Sequence, residues 1–165
     1  MPARRGLTFV ELLVGMSLLT IALMALFGVF TGTSTLNEHA RDRAWAMDDA
    51  NRVMERLRQQ NAGCNQPAAA SPAGFGNWDA WLASSAAAGG GGKTLQPNPN
   101  VNELVTLSAS GTDPLGVTVS ICWRSRNRVY GECRWTGTQL AASDANGDGI
   151  ISSPAMLFTL ITCRS

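Results

Sequence analysis

The residues best spaced for ligand chemistry lie near the end of the chain, in Asp144-Ala145-Asn146-Gly147-Asp148-Gly149-Ile150-Ile151. Side-chain oxygens at the first, third and fifth places, a glycine at the sixth and an apolar residue at the eighth follow the pattern of a calcium loop. Asp144, Asn146 and Asp148 would each supply an oxygen, and Ile150 its carbonyl. The glutamate that normally closes the set at the twelfth place is missing, and Ala155 stands there. The same residue types also build a tight turn, because Asn, Asp and Gly tolerate unusual backbone angles and bond locally. Calcium loop and turn both stand as readings. No other cofactor is required.

A second group is Arg124, Arg126, Arg128 and Arg134 beside Trp123, Tyr130 and Trp135. Arginines interleaved with aromatics can hold a nucleic-acid backbone and stack its bases. The plainer reading is a solvated hairpin whose aromatics sit in the core. It is preferred, because the region from Ala62 onward has six basic and six acidic residues and is not basic as a whole.

Four cysteines, Cys64, Cys122, Cys133 and Cys163, lack the paired spacing of a zinc site. Disulfides are the better reading, and four cysteines allow three connectivities. We favour Cys122–Cys133 across a hairpin centred near Asn127-Arg128, with Cys64–Cys163 joining a helix exit to the last strand. Direct pairing of Cys122 with Cys133 carries a cost, since it sets Glu132 opposite Trp123. The only histidine, His39, falls on a polar helix and reads as solvated. Gly92-Lys93-Thr94 resembles the end of a phosphate loop, but Ala87 replaces the required first glycine. With no nucleophile and base in view, the chain does not read as an enzyme.

The elements that carry these groups follow from periodicity. Val117, Val119, Ile121 and Trp123 alternate with Thr118, Ser120 and Cys122, as in a half-buried strand. Leu104–Leu107, Val129–Trp135 and Met156–Cys163 are the other strand candidates. From Gln66 to Asn102 the chain is rich in Ala, Ser, Gly and Pro and reads as a connector. Within it, Asn77–Leu82 is a candidate short helix with two tryptophans. From Thr33 to Gln60 there is no proline. Leu36, Ala40, Ala44, Met47, Asn51, Met54 and Leu57 recur at steps of three and four, the mark of a helix with one buried face. The expected class is α+β, a long N-terminal helix laid on a small antiparallel sheet. The expected divisions are 1–6, 7–30, 31–61, a connector over 62–102 and a β head over 103–165.

At the other end, Leu12–Phe30 holds 19 residues without a charge or proline. As a helix this run spans about 28 Å, close to the hydrocarbon core of a bilayer. Arg4 and Arg5 precede it, which places the rest of the chain outside the cytoplasm. Glu11 sits at the entrance, and a carboxylate there is costly in lipid unless it is neutralised.

Gly6-Leu7-Thr8-Phe9-Val10-Glu11 resembles the processing signal of type IV prepilins and type II secretion pseudopilins. The resemblance implies a six-residue leader, cleavage between Gly6 and Leu7 by a prepilin peptidase, and N-methylation of Leu7. It also gives Glu11 a role in assembly, as the partner of the new amine on a neighbouring subunit. Leu7 departs from the Phe or Met usual after the glycine, and the membrane half of the helix lacks the proline of many pilins. The stretch from Ala44 to Asn61, with its ending Met54-Glu55-Arg56-Leu57-Arg58 and then Asn61, is similar to the PilV-type minor pilins. The implied function is a minor type IV pilin that joins or primes a filament. The alternatives are a type II secretion pseudopilin and a DNA-binding competence minor pilin. The implied partners are the peptidase, other pilins, the inner-membrane assembly platform and, before assembly, membrane lipid. The implied location is the inner membrane by a single span, with the head outside the cytoplasm, and then a pilus or pseudopilus.

Overall fold

A computed structural model describes residues 8–62, 69–95 and 98–162. The chain forms two units, residues 1–40 and 41–165. Helix α1 (Phe9–Gln60) contributes to both.

In the first unit, the apolar side chains from Phe9 to Phe30 are exposed. Among the described residues, α1 is the one helix long and apolar enough to cross a membrane. Its hydroxyls do not break this character. Ser17 donates to the Val14 carbonyl and Thr20 to the Met16 carbonyl, both at 2.8 Å. Each polar side chain is thereby satisfied within its own helix.

In the second unit, the stretch Arg41–Gln60 of α1 buries Asp42, Ala46, Asp49, Ala50, Val53, Met54 and Leu57. This face is rotated from the stripe expected above: Ala44 and Asn51 are exposed, and only Met54 and Leu57 belong to both. Two aspartates on the buried face hide it from an apolar count.

The buried face packs on a four-stranded sheet. Strands β1 (Glu103–Ser110), β2 (Leu115–Ser125) and β3 (Arg128–Tyr130) are neighbours in that order, and β6 (Ala155–Ile161) also pairs with β2. All pairings are antiparallel. Val117, Val119, Ile121 and Trp123 of β2 join Ala46, Ala50, Val53 and Leu57 in one core. The other face of β2 is also covered, with Cys122 packing on Leu140 and Ile151. The central strand is therefore buried on both sides instead of the one side its alternation implied.

Between β3 and β6, β4 (Cys133–Trp135) pairs with β5 (Leu140–Ala142) as a separate two-stranded sheet. The run Val129–Trp135 is thus two strands. Gly131 breaks it with φ of 98°, where a Cβ would stand 2.7 Å from the Cys122 sulfur.

The connector carries α2 (Trp78–Ala83), a 3-10 turn at Ala86–Ala88 and α3 (Pro99–Asn102). The Asn77 side chain caps α2 by accepting the Ala80 N–H at 2.7 Å. Trp78 and Trp81 are buried edge to face, and their ring N–H groups donate to Ala69 and Gly89 carbonyls. A Cβ at Gly91 would come within 2.7 Å of Leu82 and 2.9 Å of Trp81. That glycine serves close packing as well as chain freedom.

Candidate functional site

The residues that the sequence marks for function fall at both ends of the chain. At the start of α1, Thr8 and Glu11 form a reciprocal cap. The Thr8 N–H and hydroxyl both donate to Glu11 Oε2, at 2.9 and 3.0 Å. The Glu11 N–H donates back to Thr8 Oγ1 at 3.3 Å. A Thr three residues before a Glu is a capping box, which satisfies helix N–H groups that have no partner within the helix. Gly6 and Leu7 lie outside the described residues.

In the head, Cys122 and Cys133 are joined by a disulfide with a Cα separation of 6.2 Å. It links the central strand β2 to β4. The hairpin register avoids the cost noted above: Trp123 pairs with Tyr130, and Ser125 with Arg128. Glu132 lies beyond β3, where its carboxylate accepts the Ser152 N–H at 2.9 Å. Cys64 and Cys163 are outside the described residues.

The β2–β3 turn is Arg126-Asn127, both with positive φ (47° and 65°). Two such residues give the hairpin turn whose twist matches its strands. Arg124 lies 3.9 Å over the Trp135 ring and donates to the Asn127 side chain. Trp123 is fully buried and stacks on Tyr130 at 5.2 Å. Arg128 is exposed. The aromatics are thus engaged in packing or covered by Arg124.

Asp144, Asn146 and Asp148 lie in one exposed loop and bond to backbone N–H groups. Asp144 accepts from Gly147 at 2.7 Å and Gly149 at 2.8 Å. Asn146 accepts from Asp148 at 3.1 Å, and Asp148 from Ile150 at 2.7 Å. Gly147 and Gly149 have φ of 74° and 77°, angles that favour glycine. The Ile150 backbone is thus part of the same closed loop.

Sequence reasoning missed a buried polar cluster. Asp49 and Glu103 are 0% and 2% exposed. Asp49 Oδ2 accepts the Thr94 N–H at 2.8 Å, and the Arg52 guanidinium lies 3.7 Å from Oδ1. The buried Lys93 ammonium donates to Asp79 Oδ1 at 2.7 Å and to the Glu103 carbonyl at 2.8 Å. Asp79 Oδ1 also accepts the Val105 N–H at 2.9 Å. Burial pushes the Glu103 carboxyl up to about 9; Asp49 adds to the rise and Lys93 opposes it. One signal was legible: Asp42 and Asp49 lie seven apart, on one helix face. Arg52 lies close in sequence, but the Thr94 N–H that Asp49 accepts comes from 45 residues downstream, and nothing local points to it.

Residues 1–27 match the model of the prokaryotic N-terminal methylation motif. The chain otherwise matches no curated protein and no solved structure. The motif covers Arg4, Arg5, Gly6, Leu7, Glu11 and most of the exposed apolar part of α1.

Proposed function

We propose that the chain is a minor type IV pilin, a structural subunit and not an enzyme. The observation that carries this reading is the methylation motif over residues 1–27, which leads into an exposed apolar helix. An α+β head tied by a disulfide follows, as suits a domain that folds outside the reducing cytoplasm. In this reading a prepilin peptidase cuts after Gly6, and the amine of Leu7 is methylated. The apolar part of α1 holds the subunit in the inner membrane until the assembly platform passes it to a filament. Glu11 then pairs with the new amine of a neighbouring subunit. That pairing offsets the cost of burying either charge alone.

Co-expression with a prepilin peptidase tests the first step. The expected product lacks Met1–Gly6, starts at Leu7 and carries one added methyl group by intact mass. An uncut chain overturns the reading. Deletion of the gene then separates the filament systems. Loss of surface pili supports the minor pilin, whereas loss of protein secretion with pili intact assigns the chain to a type II secretion pseudopilus.

A further inference from the structure

The connector segment Gly91–Leu95 meets α1 and β1 at the buried cluster. Arg52 donates to the Gly92 carbonyl at 2.7 Å, Thr94 bonds to Asp49, and Lys93 reaches Asp79 and the Glu103 carbonyl. The charges that face this point are Asp48, Asp49 and Arg52 from α1, Asp79 from α2, Lys93 from the connector and Glu103 from β1. On β2, Trp123 stands across from Glu103 and brings no charge. Two cations therefore meet four carboxyl groups. Lys93 is matched by Asp79, and Arg52 is shared between Asp48 at 2.9 Å and Asp49 at 3.7 Å.

Glu103 is left without a cation of its own. Among the described residues, neither of its oxygens accepts a hydrogen bond, and Asp49 Oδ1 accepts none either. Two ionised carboxylates this deeply buried would repel each other and leave three oxygens unsatisfied. One proton changes that balance. A protonated Glu103 can donate to Asp49, and the pair then carries one negative charge beside an Arg52 that Asp48 also shares.

We propose that one proton shared by Asp49 and Glu103 latches Gly91–Leu95 onto α1 and β1, so that docking of the segment takes up a proton and release returns it. The raised affinity of Glu103 for its proton, with burial as its main cause, agrees with this arrangement. Unfolded, the same carboxyl titrates near 4.5, so the latch is charged by docking itself. Arg52, Trp81 and Gly89–Gly91 also line an open cleft of about 700 Å³. The latch sets one wall of that cleft.

Amide hydrogen exchange at Thr94, in the full chain in detergent micelles, tests the latch. After correction for intrinsic exchange, the opening constant should rise up to tenfold per pH unit between about 5 and 9. In Glu103→Gln, which keeps the shape and can donate to Asp49 without titrating, the constant should be flat. A pH-independent constant in the wild type, or an equal slope in the variant, overturns the proposal. Titration of the Glu103 carboxyl carbon by NMR is a second measurement that needs no variant. A midpoint well above 4.5 supports the latch, and one near 4.5 overturns it.

Discussion

Thr8 and Glu11 hold each other across the first turn of α1, with the Thr8 N–H 2.9 Å from Glu11 Oε2 and the Glu11 N–H 3.3 Å from Thr8 Oγ1. Glu11 is therefore a helix cap in the single chain and, in our proposal, an ion-pair partner in the filament. These roles use the carboxylate differently. The cap needs an oxygen acceptor, while the ion pair needs the charge.

Glu11→Gln separates them. Glutamine can accept the Thr8 N–H but carries no charge. Both Glu11→Gln and Glu11→Ala should be cleaved after Gly6 and yet be incorporated poorly into filaments, measured by immunoblot of sheared pili. Wild-type incorporation of Glu11→Gln would assign the residue to the cap alone. Thr8→Ala should cost about 1 kcal/mol of helix stability and leave the charge in place.

The Cys122–Cys133 bridge closes an 11-residue separation. Replacing both cysteines by serine should lower stability by about 2–3 kcal/mol, read as a fall in the denaturation midpoint of the detergent-solubilised chain. Exchange protection should fall most in β4 and β5, which the bridge ties to the central strand. Protection lost evenly across the sheet would contradict that local effect.

Glu103 sets the sign of a pH dependence. Its folded-state value, about 9, lies above the unfolded 4.5, so the folded chain binds more protons than the unfolded chain between these limits. Stability should be full below about 4.5, decline as pH rises toward 9 and level off above it. The slope should approach 1.4 kcal/mol per pH unit at most. Denaturant melts at pH 6 and pH 8 should show the decline in the wild type, and Glu103→Gln should remove most of it.

The Asp144 loop closes through carboxylate–backbone bonds to Gly147 and Gly149. Asp144→Ala should cost about 1–2 kcal/mol in metal-free buffer. Calcium titration of both proteins by thermal melting adds a second arm. A rise in Tm in the wild type alone would make the loop an ion site, and equal curves would make it a turn.

Much of this architecture is written in local pattern. The alternation from Val117 to Trp123 gives β2, and the proline-free run to Gln60 gives α1. Elsewhere the local signal is too weak or points the wrong way. Leu140-Ala141-Ala142 is too short to show a period, and it becomes β5 only through pairing with β4. Asp42 and Asp49 look like solvent-facing residues, so the buried face of α1 was drawn a fraction of a turn away. For Asp49, partners as distant as Thr94 and Glu103 meet the buried carboxylate. At the processing signal the balance reverses. Gly6 to Glu11 can be read without coordinates, because the methylation motif is a short linear segment.

Strand β6 has a practical consequence for anyone handling the head. Met156, Phe158 and Leu160 point outward from it at 45%, 64% and 58% exposure. From Ala155 to Ile161 there is no charge or proline, and no described residue bonds to its outer edge. Edges of this kind promote sheet-to-sheet growth unless they are blunted. The outward row of β6 adds to the head an exposed apolar surface separate from that of α1. A lysine at Phe158 is the single change best placed to keep preparations monodisperse.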